Sequence, residues 1–153
     1  IGATLPYMKG RPALEVLEVI KKAGGVAVPA HPFDRWRAGI RAEILDKLDI
    51  EVLEVFNAAV SARRANERAL AYAKKRGLSM TAASDAHHES AVGVSTTAFD
   101  LDELTVPALL QALRRGGMPE GNYLSFREAM KKNFGNWFRF LNRRSIPVAS
   151  PKP

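Results

Sequence analysis

The sequence contains no cysteine, and this absence excludes both a disulfide framework and a metal site built from thiolates. It also contains no apolar run near the roughly 18 residues that a membrane-spanning helix requires. The first ten residues lack the basic start and the long apolar core of a signal peptide. These features are compatible with a protein of the reducing cytoplasm that does not use a membrane. The 153 residues, 46% of them hydrophobic, suffice for one packed domain.

Acidic residues are scarce at the carboxyl end, which carries most of the net charge of +7. Residues 127–153 contain seven lysines and arginines and a single acidic residue, Glu128, so this segment alone has a charge of +6. Four aromatic residues lie in this segment, Phe134, Trp137, Phe138 and Phe140, and Phe126 directly precedes it. Such a segment can bind nucleic acid, but it can equally be a solvated face or a helix that docks on a core.

Histidine is also rare, and the chemistry of the chain depends on where the three histidines lie. His31 directly follows the apolar residues 26–30, and His87 lies two residues after Asp85, next to His88. Each cluster ends an apolar or β-branched stretch that is typical of a buried strand. An Asp-x-His pair at a strand end offers an oxygen and a nitrogen ligand on a rigid base. The pattern indicates a metal site formed by His31, Asp85 and His87.

Apolar residues at helical spacing alternate with short buried runs along the chain. The predicted helices run from Pro12 to the glycines at 24 and 25 and over residues 38–48, 61–76, 106–115 and 125–144; the predicted strands cover residues 26–30, 51–56, 78–83 and 94–98. This alternation predicts an α/β fold of βαβ units with a parallel sheet. Ser61 is expected to cap the third helix, and Ile44 to face the core from the second. Because right-handed crossovers bring the carboxyl ends of parallel strands to one rim, both histidine clusters should meet there.

Each of these residues also has an ordinary structural interpretation. His31 before Pro32 fits a simple turn, because proline restricts the residue that precedes it. Asp85 fits the N-cap of a short turn, and His87 fits a helix cap or an exposed side chain. His88 is expected to be an exposed neighbour rather than a ligand. The metal interpretation therefore depends on both clusters lying at equivalent strand ends.

Four motifs follow one another in a specific order. They are Gly24-Gly25-Val26-Ala27-Val28-Pro29-Ala30-His31-Pro32-Phe33, then Glu54-Val55-Phe56-Asn57, then Ser84-Asp85-Ala86-His87, and finally Gly93 with Thr96. Over residues 10–100 this order resembles the later motifs of the polymerase and histidinol phosphatase (PHP) superfamily. The resemblance implies part of a distorted seven-stranded β/α barrel in residues 1–120, followed by a C-terminal helix and basic tail in residues 121–153.

The resemblance also implies a function and a set of site residues. By similarity His31, Asp85 and His87 are metal ligands, and Glu54 and Asn57 line the pocket around them. The family centre holds two or three divalent metal ions, and with this ligand set zinc, manganese and iron all remain open. The expected activity is hydrolysis of a phosphorylated small molecule or nucleotide by a metal-activated water, without a side-chain nucleophile.

The sequence departs from the family pattern at its beginning. The family's opening His-x-His strand, a second Asp-His motif and a glutamate ligand have no counterpart, because no histidine precedes His31. We therefore expect the C-terminal portion of a longer PHP protein, or a short chain whose site is completed by another polypeptide. The missing N-terminal barrel segment or a second chain is thus an expected partner. Alone, the 153 residues are predicted to bind metal weakly and to turn over little substrate.

Two further features bear on the substrate. Arg35 and Arg37 follow His31 closely and are candidates for bidentate contact with a substrate phosphate, although arginines at the start of a helix often lie on the surface. The alternative functions are a nucleic-acid-binding or interaction module with a degenerate PHP site, and a structural domain that has lost catalysis. Fold resemblance alone does not decide among these functions.

Overall fold

The computed structural model describes residues 1–37 and 39–124, and helices and strands alternate along them. The elements are α1 (Ala13–Lys22), α2 (Ala42–Leu45), β1 (Val52–Asn57), α3 (Arg64–Arg76), β2 (Ser79–Ala83), a 3₁₀ turn (Glu89–Ala91), β3 (Ser95–Ala98), α4 (Val106–Arg115) and β4 (Met118–Gly121). None of the helices in this described part has the length and apolar character that a membrane span requires. The predicted helix over 125–144 and the basic tail lie outside the described residues, as does residue 38.

The segment from β1 to β2 is the βαβ unit that the sequence predicts. β1 and β2 pair in parallel, from Val52 opposite Ser79 to Asn57 opposite Ala83, with an irregularity in the register between Glu54 and Phe56. Helix α3 connects them and ends at Gly77, whose φ of 63° is the left-handed conformation that glycine adopts readily. The carboxyl ends of both strands therefore lie side by side, and this edge positions the candidate site.

The other two predicted strands differ from expectation. Residues 26–30 form no regular strand; their connection to β1 is a bond from the Glu54 amide to the Pro29 carbonyl, at 3.4 Å. Pro29 has no amide hydrogen, so this segment cannot form a full ladder. β3 was expected to be parallel, but it pairs antiparallel with β4, a strand that the sequence does not predict. The four described strands thus form two pairs and do not close a barrel.

The hydroxyl group of Thr97 connects the two strand pairs. It accepts a hydrogen bond from the Ala82 amide at 2.8 Å and donates one to the Ala82 carbonyl at 2.9 Å. The Thr97 side chain of β3 therefore satisfies the hydrogen-bonding needs of both backbone groups of Ala82 in β2. In a continuous sheet, the backbone of a neighbouring strand would form these bonds. This contact fixes β3 against the outer side of the parallel pair.

The hydrophobic core lies on both faces of the parallel strands. Leu53 and Val55 of β1 pack in one cluster, whose other buried members are Leu17, Leu45, Leu48, Ile50, Ala73 and Leu78. Val52, one position along the strand, belongs to a second cluster with Val26, Leu110 and Leu113. Because side chains alternate along a strand, α1 to α3 cover one face and α4 covers the other.

Three local predictions for the helices were wrong. Helix α2 has only four residues, whereas the predicted helix covers residues 38–48. Leu45 is fully buried as expected, but its neighbour Ile44 is 45% exposed rather than inward-facing. Ser61 does not cap α3, whose N-cap position is Arg63 without a side-chain cap bond. Pro12 occupies the N-cap position of α1 in an extended conformation instead of its first turn. In contrast, α4 has the predicted bounds, with the Thr105 hydroxyl accepting a bond from the Ala108 amide at 3.3 Å.

Candidate functional site

Three loops meet at the carboxyl ends of the parallel strands, and two of them have an unusual backbone conformation. Among the described residues, those other than glycine with positive φ are His31 (34°), Phe33 (66°) and Asp85 (49°). His31 and Phe33 lie in the first loop and Asp85 lies in the loop after β2, and all three belong to motifs that the sequence contains. Non-glycine residues in this region carry strain of order 1–3 kcal/mol, which surrounding contacts must offset. Such strain concentrates at ligand and active sites, so this edge is the natural candidate for function.

The carboxyl group of Glu54 lies at the centre of this edge. The residue is 6% exposed, and its Oε2 atom accepts hydrogen bonds from the backbone amide of His31 and from Asn57 Nδ2, the latter at 3.0 Å. Burial raises the pKa of this carboxyl group, and the two donors oppose that shift without cancelling it. Glu54 therefore holds the loop of His31 against the end of β1.

The side chain of Asn57 connects the Glu54 carboxyl group to the second loop. Its Nδ2 atom, bonded to Glu54, also lies 3.4 Å from Asp85 Oδ2, and its Oδ1 atom accepts a bond from the Ala59 amide at 3.0 Å. Asn57 is 1% exposed, so both ends of its amide are satisfied by protein groups. The two acidic side chains of the site are thus bridged by one amide rather than placed in direct contact.

An arginine completes the connection between the first and the last loop. Arg37 Nη2 forms an ion pair with Asp85 Oδ2, and Arg37 Nη1 donates to the Ala59 carbonyl at 3.2 Å and reaches Asn57 Oδ1 at 3.5 Å. The two side chains are only 19% and 23% exposed. The charges are therefore partly removed from water, where charge-assisted hydrogen bonds are stronger than at the surface.

His87 and His31 each keep one ring nitrogen suited to a metal ion. His87 Nδ1 lies 2.8 Å from the carbonyl oxygen of Asp85 and 3.8 Å from its Oδ1 atom. A carbonyl oxygen only accepts, so Nδ1 carries the hydrogen and the neutral ring has its lone pair on Nε2. In the first loop, His31 Nδ1 is buried and has no hydrogen-bond partner among residues 1–37 and 39–124. A buried ring nitrogen without a partner is unusual in folded proteins.

The structure brings most of the predicted site residues together. The loop of His31, the side chains of Glu54 and Asn57, and Asp85 with His87 are connected through the contacts described above. These donor types suit a transition metal, but their number does not complete a site. Among residues 1–37 and 39–124, no group of three or more histidine, aspartate or glutamate side chains is arranged to hold an ion. Further ligands would be needed.

The structure separates the two candidate arginines. Arg37 belongs to the network, whereas Arg35 is exposed and lines a different small pocket on the other side of its loop. His88 is not part of the network either: its Nδ1 atom accepts a bond from the Ser90 amide at 3.3 Å and caps the 3₁₀ turn. The expectation that His88 is an exposed neighbour agrees with this position.

Three residues that support the site were not found from the sequence. Asp34 is 1% exposed, and its carboxylate accepts bonds from the Trp36 amide at 3.2 Å and the Ser61 amide at 2.8 Å. The first bond spans two residues and is the turn that aspartate commonly forms, so this signal was available. Gly39 is the second supporting residue. A side chain there would place a Cβ atom 2.5 Å from the His31 carbonyl oxygen, so this close backbone approach requires glycine.

The third supporting residue is Asn66 of α3, which binds the end of β1. Asn66 Oδ1 accepts from the Asn57 amide and Asn66 Nδ2 donates to the Asn57 carbonyl, both at 3.1 Å. This pair of bonds fixes the helix against the backbone of the residue that bridges the two acidic groups. The contact joins residues nine positions apart through tertiary packing, and no motif indicates it.

Comparisons with known proteins give one family and one fold. Residues 63–117 match the family described as PHP-associated, which confirms the predicted relationship to the PHP superfamily. The crystal structure of PsfC from Pseudomonas syringae PB-5123 is similar, with a TM-score of 0.57 and 19% identity, covering 86% of this chain and 53% of PsfC. At this identity the likeness shows the fold alone, and the chain spans about half the length of PsfC. No curated protein matches the sequence.

Proposed function

We propose that this PHP-associated chain supplies part of the active site of a metal-dependent phosphoesterase. The observation that carries the proposal is the single network at the carboxyl ends of β1 and β2, which joins the His31 loop, Glu54, Asn57, Asp85 and His87. Open α/β sheets bind their ligands at this edge. The substrate class is a phosphorylated small molecule or a nucleotide.

The residues that would hold metal are His31, Asp85 and His87. His87 offers Nε2, because its Nδ1 hydrogen faces the Asp85 carbonyl, and this is how metal-binding histidines are commonly oriented. A bound divalent ion would supply a Lewis acid that activates water and stabilises charge on the phosphoryl oxygens. Zinc, manganese and iron all fit a mixed imidazole and carboxylate set. The remaining ligands come, in this proposal, from an N-terminal barrel segment or from a second chain.

Other residues of the chain orient these ligands and the substrate. Glu54 holds the His31 backbone, and Asn57 transmits that order to Asp85 through its amide. Arg37, fixed beside Asp85, carries a planar cation suited to a phosphate. The adjacent loops contain the strained residues, so the site is held in place before substrate arrives.

Two neighbouring histidines allow a matched test of the metal ligands. Binding of Mn²⁺ and Zn²⁺ to the 153-residue chain can be measured by equilibrium dialysis for the wild type, His87→Gln and His88→Gln. We expect His87→Gln to weaken binding by about tenfold or more, since ligand and outer-shell changes cost on that order. His88→Gln, which alters only a turn cap, should bind like the wild type. Equal effects of both variants, or no binding by the wild type, would contradict the proposal.

Hydrolysis by the chain alone tests whether its site is incomplete. With p-nitrophenyl phosphate and saturating Mn²⁺, we expect turnover far below the roughly 1–10³ s⁻¹ of ordinary enzymes. The reason is that no complete ion site exists among the described residues. Turnover in the ordinary range would show that the chain needs no further ligands and would overturn the partial-site proposal.

A second function, nucleic-acid binding, is favoured by a separate surface. The small pocket lined by Arg35, Arg64 and Arg68 lies next to Trp36, whose side chain is 85% exposed. Guanidinium groups beside an exposed indole suit a phosphate and a stacked base. In this alternative, fluorescently labelled single-stranded DNA binds with strong salt dependence, and Arg64→Ala with Arg68→Ala weakens it. Absence of salt-dependent binding would contradict this alternative function.

A further inference from the structure

We infer that Tyr123, which lies in the segment after β4, is a positioning residue of the candidate site. It acts through Asn66 of α3, which in turn holds the backbone of Asn57. The inference rests on the proposed function, because it concerns how the same site is held in place. It goes beyond that function by linking the site to the antiparallel strand pair, which ends two residues before Tyr123.

The strap, defined as residues 122–124, is held at both ends by the backbone of other segments. The Asn122 amide donates to the Val94 carbonyl at 3.0 Å, and the Leu124 amide donates to the Ala58 carbonyl at 3.1 Å. Val94 directly precedes β3, whereas Ala58 directly follows β1. The strap therefore runs from the antiparallel pair to the carboxyl end of the parallel pair, which brings its central tyrosine next to the candidate site.

The ring of Tyr123 contacts both of the elements that Asn66 joins. Its centroid lies 4.8 Å from that of Phe56, with the two rings inclined by 47°, and the guanidinium carbon of Arg63 lies 4.4 Å from the same centroid. Phe56 directly precedes Asn57 in β1, and Arg63 is the N-cap residue of α3. Inclined aromatic pairs and a cation over a ring face are both favourable. These contacts hold the tyrosine against β1 and α3 together.

The hydroxyl group of Tyr123 completes the hydrogen bonding of the Asn66 side chain. Asn66 is 6% exposed, and its amide has one acceptor oxygen and two donor hydrogens. The oxygen accepts from the Asn57 backbone amide, and one hydrogen is donated to the Asn57 carbonyl, both at 3.1 Å. The other hydrogen is donated to the tyrosine oxygen, which lies 3.4 Å from Nδ2. Without the hydroxyl group a buried donor would lose this partner, which is unfavourable.

Asn66 and the strap together hold the two residues at the carboxyl end of β1. Asn66 binds both backbone groups of Asn57, and the Leu124 amide binds the carbonyl of Ala58. The Asn57 side chain in turn donates to Glu54 Oε2 at 3.0 Å. A shift of this backbone would therefore move the amide that connects the buried carboxyl group to the rest of the site. The tyrosine acts on the site through this chain of contacts.

Amide hydrogen exchange of the full 153-residue chain tests the inference without metal or substrate. Exchange is followed by NMR for the wild type, for Tyr123→Phe, and for Tyr7→Phe, which makes the same change at a residue that is 86% exposed. The backbone amide of Asn57 reports on the site, and that of Ala73, a fully buried residue of α3, reports on the stability of the fold. The side-chain amide signal of Asn57 gives a second measure of the position of this residue.

We expect Tyr123→Phe to speed exchange of the Asn57 backbone amide about tenfold and to shift its side-chain signal, because Asn66 loses a hydrogen-bond partner. Exchange at Ala73 should change by less than about twofold, and Tyr7→Phe should leave both residues as in the wild type. An unchanged exchange rate or an unshifted signal at Asn57 would overturn the inference. Equal acceleration at Asn57 and Ala73 would also overturn it, because the tyrosine would then act on overall stability alone.

The inference and the proposed function can fail separately. If Asn57 responds as expected but His87→Gln binds metal like His88→Gln, Tyr123 still orders this edge of the fold and the phosphoesterase proposal falls. If Asn57 does not respond while His87→Gln alone weakens metal binding, the phosphoesterase proposal stands and the role of Tyr123 is refuted.

Discussion

At the scale of single residues, the buried Glu54 carboxyl group makes the stability of the folded chain depend on pH. Burial raises its pKa above the ordinary value of 4.5, so the folded state retains a proton that the unfolded chain has already lost. The stability that this group contributes is therefore fully present below pH 4.5 and is lost as the pH rises through the raised pKa. This change of stability with pH is opposite in sign to that caused by a carboxylate in a surface ion pair.

Substitution of Glu54 by glutamine isolates this effect. We expect Glu54→Gln to gain stability relative to the wild type as the pH rises from about 4 to 8, since the amide has no charge to desolvate. Urea unfolding of both proteins across this range measures the difference. Glu103→Gln, at an exposed position, is the control and should show no such trend. Parallel pH curves for Glu54→Gln and the wild type would refute the assigned pKa shift.

The sequence predicts the chemical groups of the site better than it predicts their contacts. Asp85 and His87 were identified because they follow a predicted strand, which is a local feature, and Glu54 and Asn57 were identified through the family resemblance. The ion pair of Arg37 with Asp85 joins residues 48 positions apart and depends on the path of the loop after His31. That path includes positive φ angles and a close backbone approach, which no periodicity encodes.

At the scale of elements, the hydroxyl group of Thr97 links the two strand pairs. Thr97 is partly buried, and its hydroxyl group binds both the amide and the carbonyl of Ala82. We expect Thr97→Val, which is nearly isosteric, to lower the free energy of unfolding by about 1–3 kcal/mol, because both backbone groups lose their partner.

The neighbouring threonine provides a matched control for this prediction. Thr96 is exposed, and adjacent side chains of a strand point to opposite faces, so Thr96→Val should change stability by about 0.5 kcal/mol or less. Chemical denaturation of the two variants compares the same substitution one position apart. If both variants unfold at the same denaturant concentration, the Thr97 hydroxyl does not align the sheets.

Predictability of the elements follows their local signals. Helix α4 has its predicted bounds, and local features of the structure agree with them: Thr105 caps its first turn and Gly116 follows its last residue. β4 was missed because Met118-Pro119-Glu120-Gly121 contains proline and glycine, which usually exclude a strand. In the structure Pro119 lies opposite Thr97 in a two-stranded sheet. An edge strand tolerates proline, because proline has no amide hydrogen to donate to a ladder. The pairing of β3 is thus a property of tertiary structure.

At the scale of the whole molecule, the parallel strands separate two hydrophobic clusters. Ile50 belongs to the cluster covered by α1 to α3, whereas Val26 belongs to the cluster covered by α4, and the two clusters share no buried member. This layered arrangement agrees with the predicted α/β class. The family relationship was equally accessible from the motifs, whereas the number and direction of the strands were not.

The separation of the clusters predicts that core substitutions on opposite faces act independently. Ile50→Val should destabilise by about 1 kcal/mol and Leu113→Ala by about 3 kcal/mol, from lost burial and residual cavities. Because Ile50 and Leu113 belong to different clusters, the double variant should equal the sum within about 0.5 kcal/mol in urea unfolding. Ile50→Val with Leu48→Ala, two substitutions within one cluster, should deviate by more. A coupling above about 1 kcal/mol between Ile50 and Leu113 would mean that the strands transmit packing changes from one face to the other.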